Sequence, residues 1–260
     1  MRRLHLFEVL DQPWCPASIR DAVTDYLQFS MKLNNPYHVI LPRLTTALQT
    51  TKTQIIVDLC SGAGGPWTDL RPALEQQLAR SLTFVLTDRF PHQTVTESVD
   101  SHAADNNVFT VAADARAAPI GPSVFRTIFT GFHHFPPDEA RTLLHDAVAQ
   151  RHGIAIFEAT QRRPAAMLLV CLSTLSVLLT TPFIRPWRWS RMFWTYVVPL
   201  VPLVVLFDGI VSCLRTYTLD ELRELIAQAD TARYVWELGE APIPQTPLAV
   251  TFAIGYPQSS

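Results

Sequence analysis

Residues 54–67, QIIVDLCSGAGGPW, narrow the folds open to this chain, because an apolar strand runs to Asp58 and passes at once into a glycine turn. Gly62, Gly64 and Gly65 remove side chains where backbone has to approach a ligand. Pro66 suits the first turn of a following helix whose free N–H groups face that ligand. Asp58 adds a carboxylate acceptor at the same place. A dinucleotide fold calls for G-x-G-x-x-G, but counting from Gly62 the third glycine position holds Trp67, too large for the close helix–strand packing that this glycine serves. NAD is therefore disfavoured.

The same logic repeats along the chain. An apolar run at 83–87 ends in Asp88, about thirty residues after Asp58, where an acidic side chain can accept hydrogen bonds from ribose hydroxyls. Further runs follow at 107–112 before Asp114, at 124–129 before Thr130-Gly131-Phe132-His133-His134, and at 153–157 before Glu158. Segments 70–80 and 137–150 between them carry apolar residues at helical spacing. Five strands alternating with helices predict a parallel sheet whose ligand crevice lies at the strand C-termini. Two later strands are expected at 233–238 and 248–255, after a helix at 218–227 that opens on the capping-box pattern Thr218-x-x-Glu221.

A length of 260 residues suits a single enzyme-sized domain, and a net charge of −2 with no basic block predicts no nucleic-acid partner. Cys15, Cys60, Cys171 and Cys213 show no C-x-x-C pairing, so buried thiols in a reducing cytoplasm are expected, with no disulfide framework and no metal site. Met1-Arg2-Arg3 is followed by Glu8 and Asp11 instead of an apolar signal core, which also predicts a cytoplasmic protein.

The pattern D-x-x-x-G-x-G from Asp58 resembles motif I of the class I methyltransferases that use S-adenosylmethionine, with Cys60 where that family has its first glycine. The stretches PWCPASIRDAVTDYLQF, VDLCSGAGGPW, LTDRFP, FHHFPPDEAR, IFEATQR, PFIRPWRWSRMFWTYVVPLVPL and DGIVSCLRTYTLDEL are similar to a bacterial group of the same family. The resemblance implies a Rossmann-like α/β domain over 1–260, with a seven-stranded, mostly parallel sheet whose last strand is reversed. It implies S-adenosylmethionine as cofactor, held by Asp58, Cys60, Ser61, Gly62, Gly64, Asp88, Arg89, Asp114, Ala115 and Thr130. In the family an acid at Asp114 takes the adenine amino group, and the next backbone N–H, that of Ala115, faces the ring. The implied reaction is methyl transfer to a small, hydrophobic molecule, with His133 or His134 as the base where the acceptor is a hydroxyl or amine. A related branch, the azetidine-2-carboxylate synthases, cyclises S-adenosylmethionine onto itself, and Thr130 stands where that branch is expected to carry an amide. A third reading is a membrane-associated module that binds the cofactor without turnover.

Two segments depart from a minimal fold of this kind. Residues 1–50 read as an N-terminal helical cap in which Trp14, Tyr26 and Tyr37 are candidate lid residues. Residues 165–212 read as an apolar helical insertion between strands 5 and 6, with Tyr196 and Ser212 as further lid or substrate candidates. No charge falls within 165–181 or 192–207, while Arg185, Arg188 and Arg191 interleave with Trp187, Trp189 and Trp194. The insertion reads either as a buried lid or as a peripheral membrane contact through 165–207 at the inner face of the membrane. Full spanning is disfavoured, because both flanks return to one sheet and Pro199 and Pro202 interrupt the second run.

Overall fold

The computed structural model describes residues 1–90, 107–117, 120–121, 123–229 and 234–258. They fall into two compact units, one made of Met1–Asn34 with Thr160–Thr216, the other of Asn35–Ala159 with Tyr217–Ser260.

The second unit carries the sheet. Among the described residues its strands are β1 (Ile55–Leu59), β2 (Thr83–Asp88), β3 (Val108–Ala112), β4 (Val124–Phe129), β5 (Gly153–Glu158), β6 (Tyr234–Pro242) and β7 (Ala249–Pro257). They lie side by side in the order β3-β2-β1-β4-β5-β7-β6. The first five are parallel, and β7 runs antiparallel to both of its neighbours. This is the expected α/β architecture with a reversed last strand. Arg233, which opens the predicted sixth strand, lies outside the described residues.

Every residue of β4 and β5 is buried, as in a parallel strand covered on both faces, and the polar residues within β4 are partnered: Arg126 pairs with Asp146 at 2.7 Å and Thr127 donates to Asp58. One face packs on helices Pro137–Ala149 and Leu219–Ala227 through Leu143, Leu144, Leu222 and Ile226 against Val57, Leu59, Ile128 and Ile156. Thr218 caps the second of these helices as expected, its hydroxyl accepting from the Glu221 N–H and its own N–H donating to the Glu221 carboxylate. Trp67 begins helix Trp67–Leu78, directly after Pro66. Its ring lies 4.7 Å from Phe84 and 5.2 Å from Phe129, so the residue that breaks the dinucleotide motif fills the space between helix and sheet. The chain winds from β1 out to β3 and returns at β4, so the strand order reverses between β1 and β4, where open α/β sheets place their ligand crevice.

The first unit is helical. Helix Ala17–Asn34 packs Ile19, Ala22, Val23 and Tyr26 against Val177, Ile184, Val201, Val204 and Val205 from helices Pro164–Thr180 and Leu200–Arg215 and the turn between them. The N-terminal segment is tied down beside the last helix, where the Leu4 N–H donates to the Leu214 carbonyl at 3.1 Å. Asp208 and Arg215, at the two ends of one stretch of the last helix, take different partners from the N-terminal segment. Asp208 accepts from the Val9 and Leu10 N–H groups at 2.8 and 3.0 Å. Arg215 pairs with Glu8 at 3.2 Å and Asp11 at 3.1 Å. A buried charge needs partners wherever the chain can supply them, and the N-terminal segment supplies both sets.

The arginine–tryptophan stretch is likewise only partly outward. Arg191 is buried in an ion pair with Asp25, and Arg188 lies 3.8 Å from Asp21. The Trp194 indole donates to Ser18 Oγ at 3.1 Å, whereas Trp187 and Trp189 are exposed. Pro164–Phe183 is long and apolar enough to cross a membrane. Trp189–Val197 and Leu200–Arg215 qualify only when joined, and they are bent by 78° at their break.

Candidate functional site

Asp58 is the last residue but one of β1 and is fully buried. Its Oδ1 accepts from Thr127 Oγ1 on β4 at 2.5 Å, which locks β1 to its neighbour. Oδ2 faces Gly65, where a Cβ would come within 3.3 Å of it. Burial first of all pushes this carboxyl up to about 7, against the opposing pull of Thr127 and Trp67, and the nearby Asp88 charge adds to the rise. The carboxylate expected as an acceptor beside the glycine turn is wholly buried beneath it.

That turn is closed on itself. Gly64 and Gly65 N–H groups donate to the Ser61 carbonyl at 2.9 and 2.8 Å, and the Ser61 N–H donates to the Thr87 carbonyl of β2 at 2.9 Å. Gly62, Gly64 and Gly65 all have positive φ, as does Cys60 at 59°, so the position where the related family carries glycine is left-handed here too. Gly62 has open space on its Cβ side, and its N–H donates to Asp88 Oδ2 at 2.8 Å. Asp88 also accepts from the Phe90 N–H at 2.8 Å, and Arg89 between them is exposed and stacks on Phe90. The glycine turn and the predicted ribose acid therefore meet across the ends of adjacent strands.

The third acid behaves differently. Asp114 is gripped by Arg116, whose Nε donates to Oδ1 at 2.9 Å and whose second guanidinium nitrogen donates to Oδ2 at 2.6 Å. Arg116 also reaches Glu139 at 3.0 Å. The guanidinium brings the Asp114 carboxyl down to about 2, so it is a firmly ionised acceptor already engaged by a cation. Ala115 lies half-buried in the turn that follows it, and the Ala113 N–H ties this turn to the Asp88 carbonyl at 2.9 Å.

Thr130 follows β4 with φ of 44°. Its hydroxyl is hydrogen-bonded to the Tyr37 phenol and accepts from the Ala159 N–H at 3.1 Å, so it braces β4 against β5. Tyr37 is fully buried, edge-on to Phe129 at 5.0 Å, and burial drives its phenol far above the ordinary range. Gly131 allows the next turn to come close: a Cβ there would stand 2.9 Å from Cys60 Cβ. This contact sets the short turn Phe132–His134 beside the β1 turn.

His133 is buried at the middle of that turn. Its backbone N–H donates to Glu158 Oε1 at 3.0 Å, and its Nδ1 lies 2.9 Å from Glu158 Oε2. Burial opposes ionisation of Glu158, but the His133 ring, its backbone N–H and the nearby His134 together bring the carboxyl below its ordinary range. His134 is half-buried, its ring 4.3 Å from that of His133. Spacing alone does not bring Glu158 to His133; the pairing of β4 with β5 does, since both residues follow the paired Phe129 and Phe157.

Tyr37 is the lid candidate that belongs to the sheet-bearing unit. Trp14, Tyr26, Tyr196 and Ser212 belong to the helical unit. There Trp14 is exposed, Tyr26 is buried with its hydroxyl donating to the Ser173 carbonyl at 3.2 Å, Tyr196 donates to the Leu178 carbonyl, and Ser212 donates to Glu8 at 3.0 Å.

No protein-family model and no curated protein matches the sequence. Solved structures do match the fold. An O-methyltransferase of neocarzinostatin biosynthesis, solved with S-adenosylhomocysteine and 1,4-dihydroxy-2-naphthoic acid, is 15% identical, with 93% of this chain and 59% of that one covered and a TM-score of 0.54. Human N-acetylserotonin methyltransferase, solved with S-adenosylmethionine, is 13% identical over 90% of this chain and 56% of its own, with a TM-score of 0.50. The pyocyanin biosynthetic protein PhzM is 15% identical over 89% and 57%, also at 0.50. The fold is that of the class I methyltransferases. The chain spans under three-fifths of the length of each of these proteins.

Proposed function

We propose that the chain binds S-adenosylmethionine at the C-terminal ends of β1 and β2 and transfers its methyl group to a small, hydrophobic molecule. The observation that carries this reading is the 2.8 Å bond from the Gly62 N–H to Asp88, which joins the glycine turn to an acid in a fold whose solved neighbours hold this cofactor or its product. The residues fit the group. Gly62 leaves open space for close approach, Asp88 offers oxygen acceptors to ribose hydroxyls, and Arg89 and Ala115 flank the same strand ends. Asp114 can serve the adenine edge while still held by Arg116, because a carboxylate accepts more than two hydrogen bonds.

When bound, the cofactor supplies a methyl group on a sulfonium, an electrophile that needs no activation by a metal. The chain's part is to orient the acceptor and manage its proton. His133 takes that proton, in preference to His134, because a buried carboxylate holds its Nδ1 and so leaves Nε2 as the basic nitrogen. Glu158 then offsets the charge that the ring gains.

The test is calorimetry with S-adenosylmethionine followed by mass spectrometry of sulfur-containing products. Binding, together with S-adenosylhomocysteine that appears only when an acceptor is added, is the expected result. Methylthioadenosine formed without an acceptor would mean self-cyclisation, and binding with neither product over a broad acceptor panel would mean a non-catalytic module.

A further inference from the structure

The two units differ sharply in charge. Ten arginines and lysines against five acids give the helical unit a net charge of +5, while eleven against eighteen give the sheet-bearing unit −7, together restoring the chain's −2. The basic unit is also the more apolar at its surface. On helix Pro164–Thr180, Leu168, Leu172, Leu175 and Leu179 recur at helical spacing and are 54–63% exposed, a stripe that Phe183 and Trp189 extend. At 17 residues this helix is about 26 Å long.

The opposite side of the same helix is covered. Val177 is fully buried, and Ser173 accepts from Tyr26 on helix Ala17–Asn34, which carries Arg20, Asp21, Asp25 and Lys32. A spanning hairpin would draw these charges into hydrocarbon, at a cost of about 2.5–3.5 kcal/mol for each charge at the bilayer centre. The hairpin therefore cannot cross a membrane in this packing, but it can lie on one.

The four leucines of the stripe themselves offer no hydrogen-bonding side chain of the kind a specific protein partner uses. Protein interfaces carry roughly one hydrogen bond per 100–200 Å². Here the hydroxyls of Ser173, Thr180 and Thr181 each donate to a carbonyl of their own helix, to Val170, Ser176 and Val177 respectively. A bilayer asks for no such bonds. Beside the stripe, exposed Trp187 lies 5.8 Å from the Arg185 guanidinium, an amphipathic pair suited to headgroup depth.

We infer that the helical unit docks flat on an anionic lipid bilayer, its leucine stripe in the headgroup–acyl boundary and its excess positive charge toward lipid phosphates. The test is flotation of the full chain with phosphatidylcholine vesicles and with vesicles containing phosphatidylglycerol in equal share. The wild type floats with the anionic vesicles, less with phosphatidylcholine alone and less again in high salt. A Leu172→Glu/Leu175→Glu variant loses about tenfold or more in partitioning while keeping the wild-type melting curve and cofactor affinity. Failure of the wild type to float with either vesicle, or equal flotation of the variant, overturns the inference. So does a wild-type dimer without lipid that the variant converts to monomer, because the stripe would then face a second copy.

Discussion

Cys60 and Gly131 are two residues whose backbones demand opposite things of one small space. A left-handed Cys60 costs about 1–2 kcal/mol; glycine there would remove that strain but cost about 0.5–1 kcal/mol in return, because its unfolded chain is freer. Cys60→Gly should therefore stabilise modestly, raising the melting temperature by a few degrees. Gly131→Ala should cost about 1–3 kcal/mol, because its Cβ would stand 2.9 Å from Cys60 Cβ. In the Cys60→Gly background that obstacle is gone and the cost should fall by about 1 kcal/mol or more; additive denaturation energies across the cycle would contradict the contact. Asp58 gives a second test at this scale. The folded state keeps its proton up to about 7 while the unfolded chain loses it near 3.8, so its contribution to stability is present below 3.8 and is lost as pH rises toward 7. The full effect is on the order of 4 kcal/mol. Asp58→Asn should melt close to the wild type at the acid end of that window and several degrees higher above it, and parallel pH profiles would show that the carboxyl is not desolvated. The glycines and acids were legible in the sequence because they interrupt apolar runs. Their partners were not: that Thr127 would hold Asp58 and Arg116 would grip Asp114 depends on strand register and local turn geometry, which spacing alone does not encode.

Between elements, the geometry of the candidate site comes from parallel register, which sets the ends of β1, β2, β4 and β5 side by side. Asp88 at the end of β2 holds the β1 turn through Gly62, and in the proposed function it would also take the ribose hydroxyls. Asp88→Ala should weaken S-adenosylmethionine binding by about tenfold to a hundredfold, the range for losing a hydrogen bond to a charged group, with unchanged circular dichroism. Unaltered affinity would remove the ribose assignment. Glu158→Gln tests the neighbouring pair. It leaves the shape of the turn but removes the charge that steadies His133, so methyl transfer should fall by about tenfold or more, its pH profile should shift, and cofactor affinity should hold. A drop in affinity with an unshifted profile would make Glu158 merely structural. The succession of strands and helices was readable from alternating runs, and the reversed last strand from the family resemblance, which is why a crevice at the strand ends was foreseeable. The His133–Glu158 pairing needed one further step, the adjacency of β4 and β5, which follows from the same topology.

At the scale of the whole molecule the chain is two units interleaved in sequence, and that division was the least legible feature. Residues 1–34 and 160–216 are held together by the apolar core of helix Ala17–Asn34 and by Asp208, Arg191 and Arg215, which find their partners on the N-terminal segment more than 160 residues away. Hydropathy marked the insertion but carried no information about that pairing. The junction makes the division testable. Thr160 and Thr216 hydroxyls lie 2.8 Å apart, so the chain leaves for the helical unit and returns at nearly one point. A short glycine–serine linker can replace residues 161–215, and residues 1–34 can be removed with them, without straining β5 or helix Leu219–Ala227. The shortened chain keeps all seven described strands, the glycine turn, Asp88 and the His133–Glu158 pair. It should fold cooperatively, retain S-adenosylmethionine binding within about tenfold of the full chain, since its loop contacts persist, and no longer float with anionic vesicles. Loss of all secondary structure would show that the sheet depends on the helical unit for its stability. A folded product that fails to bind the cofactor would place an essential part of the cofactor site among residues 1–34 or 161–215.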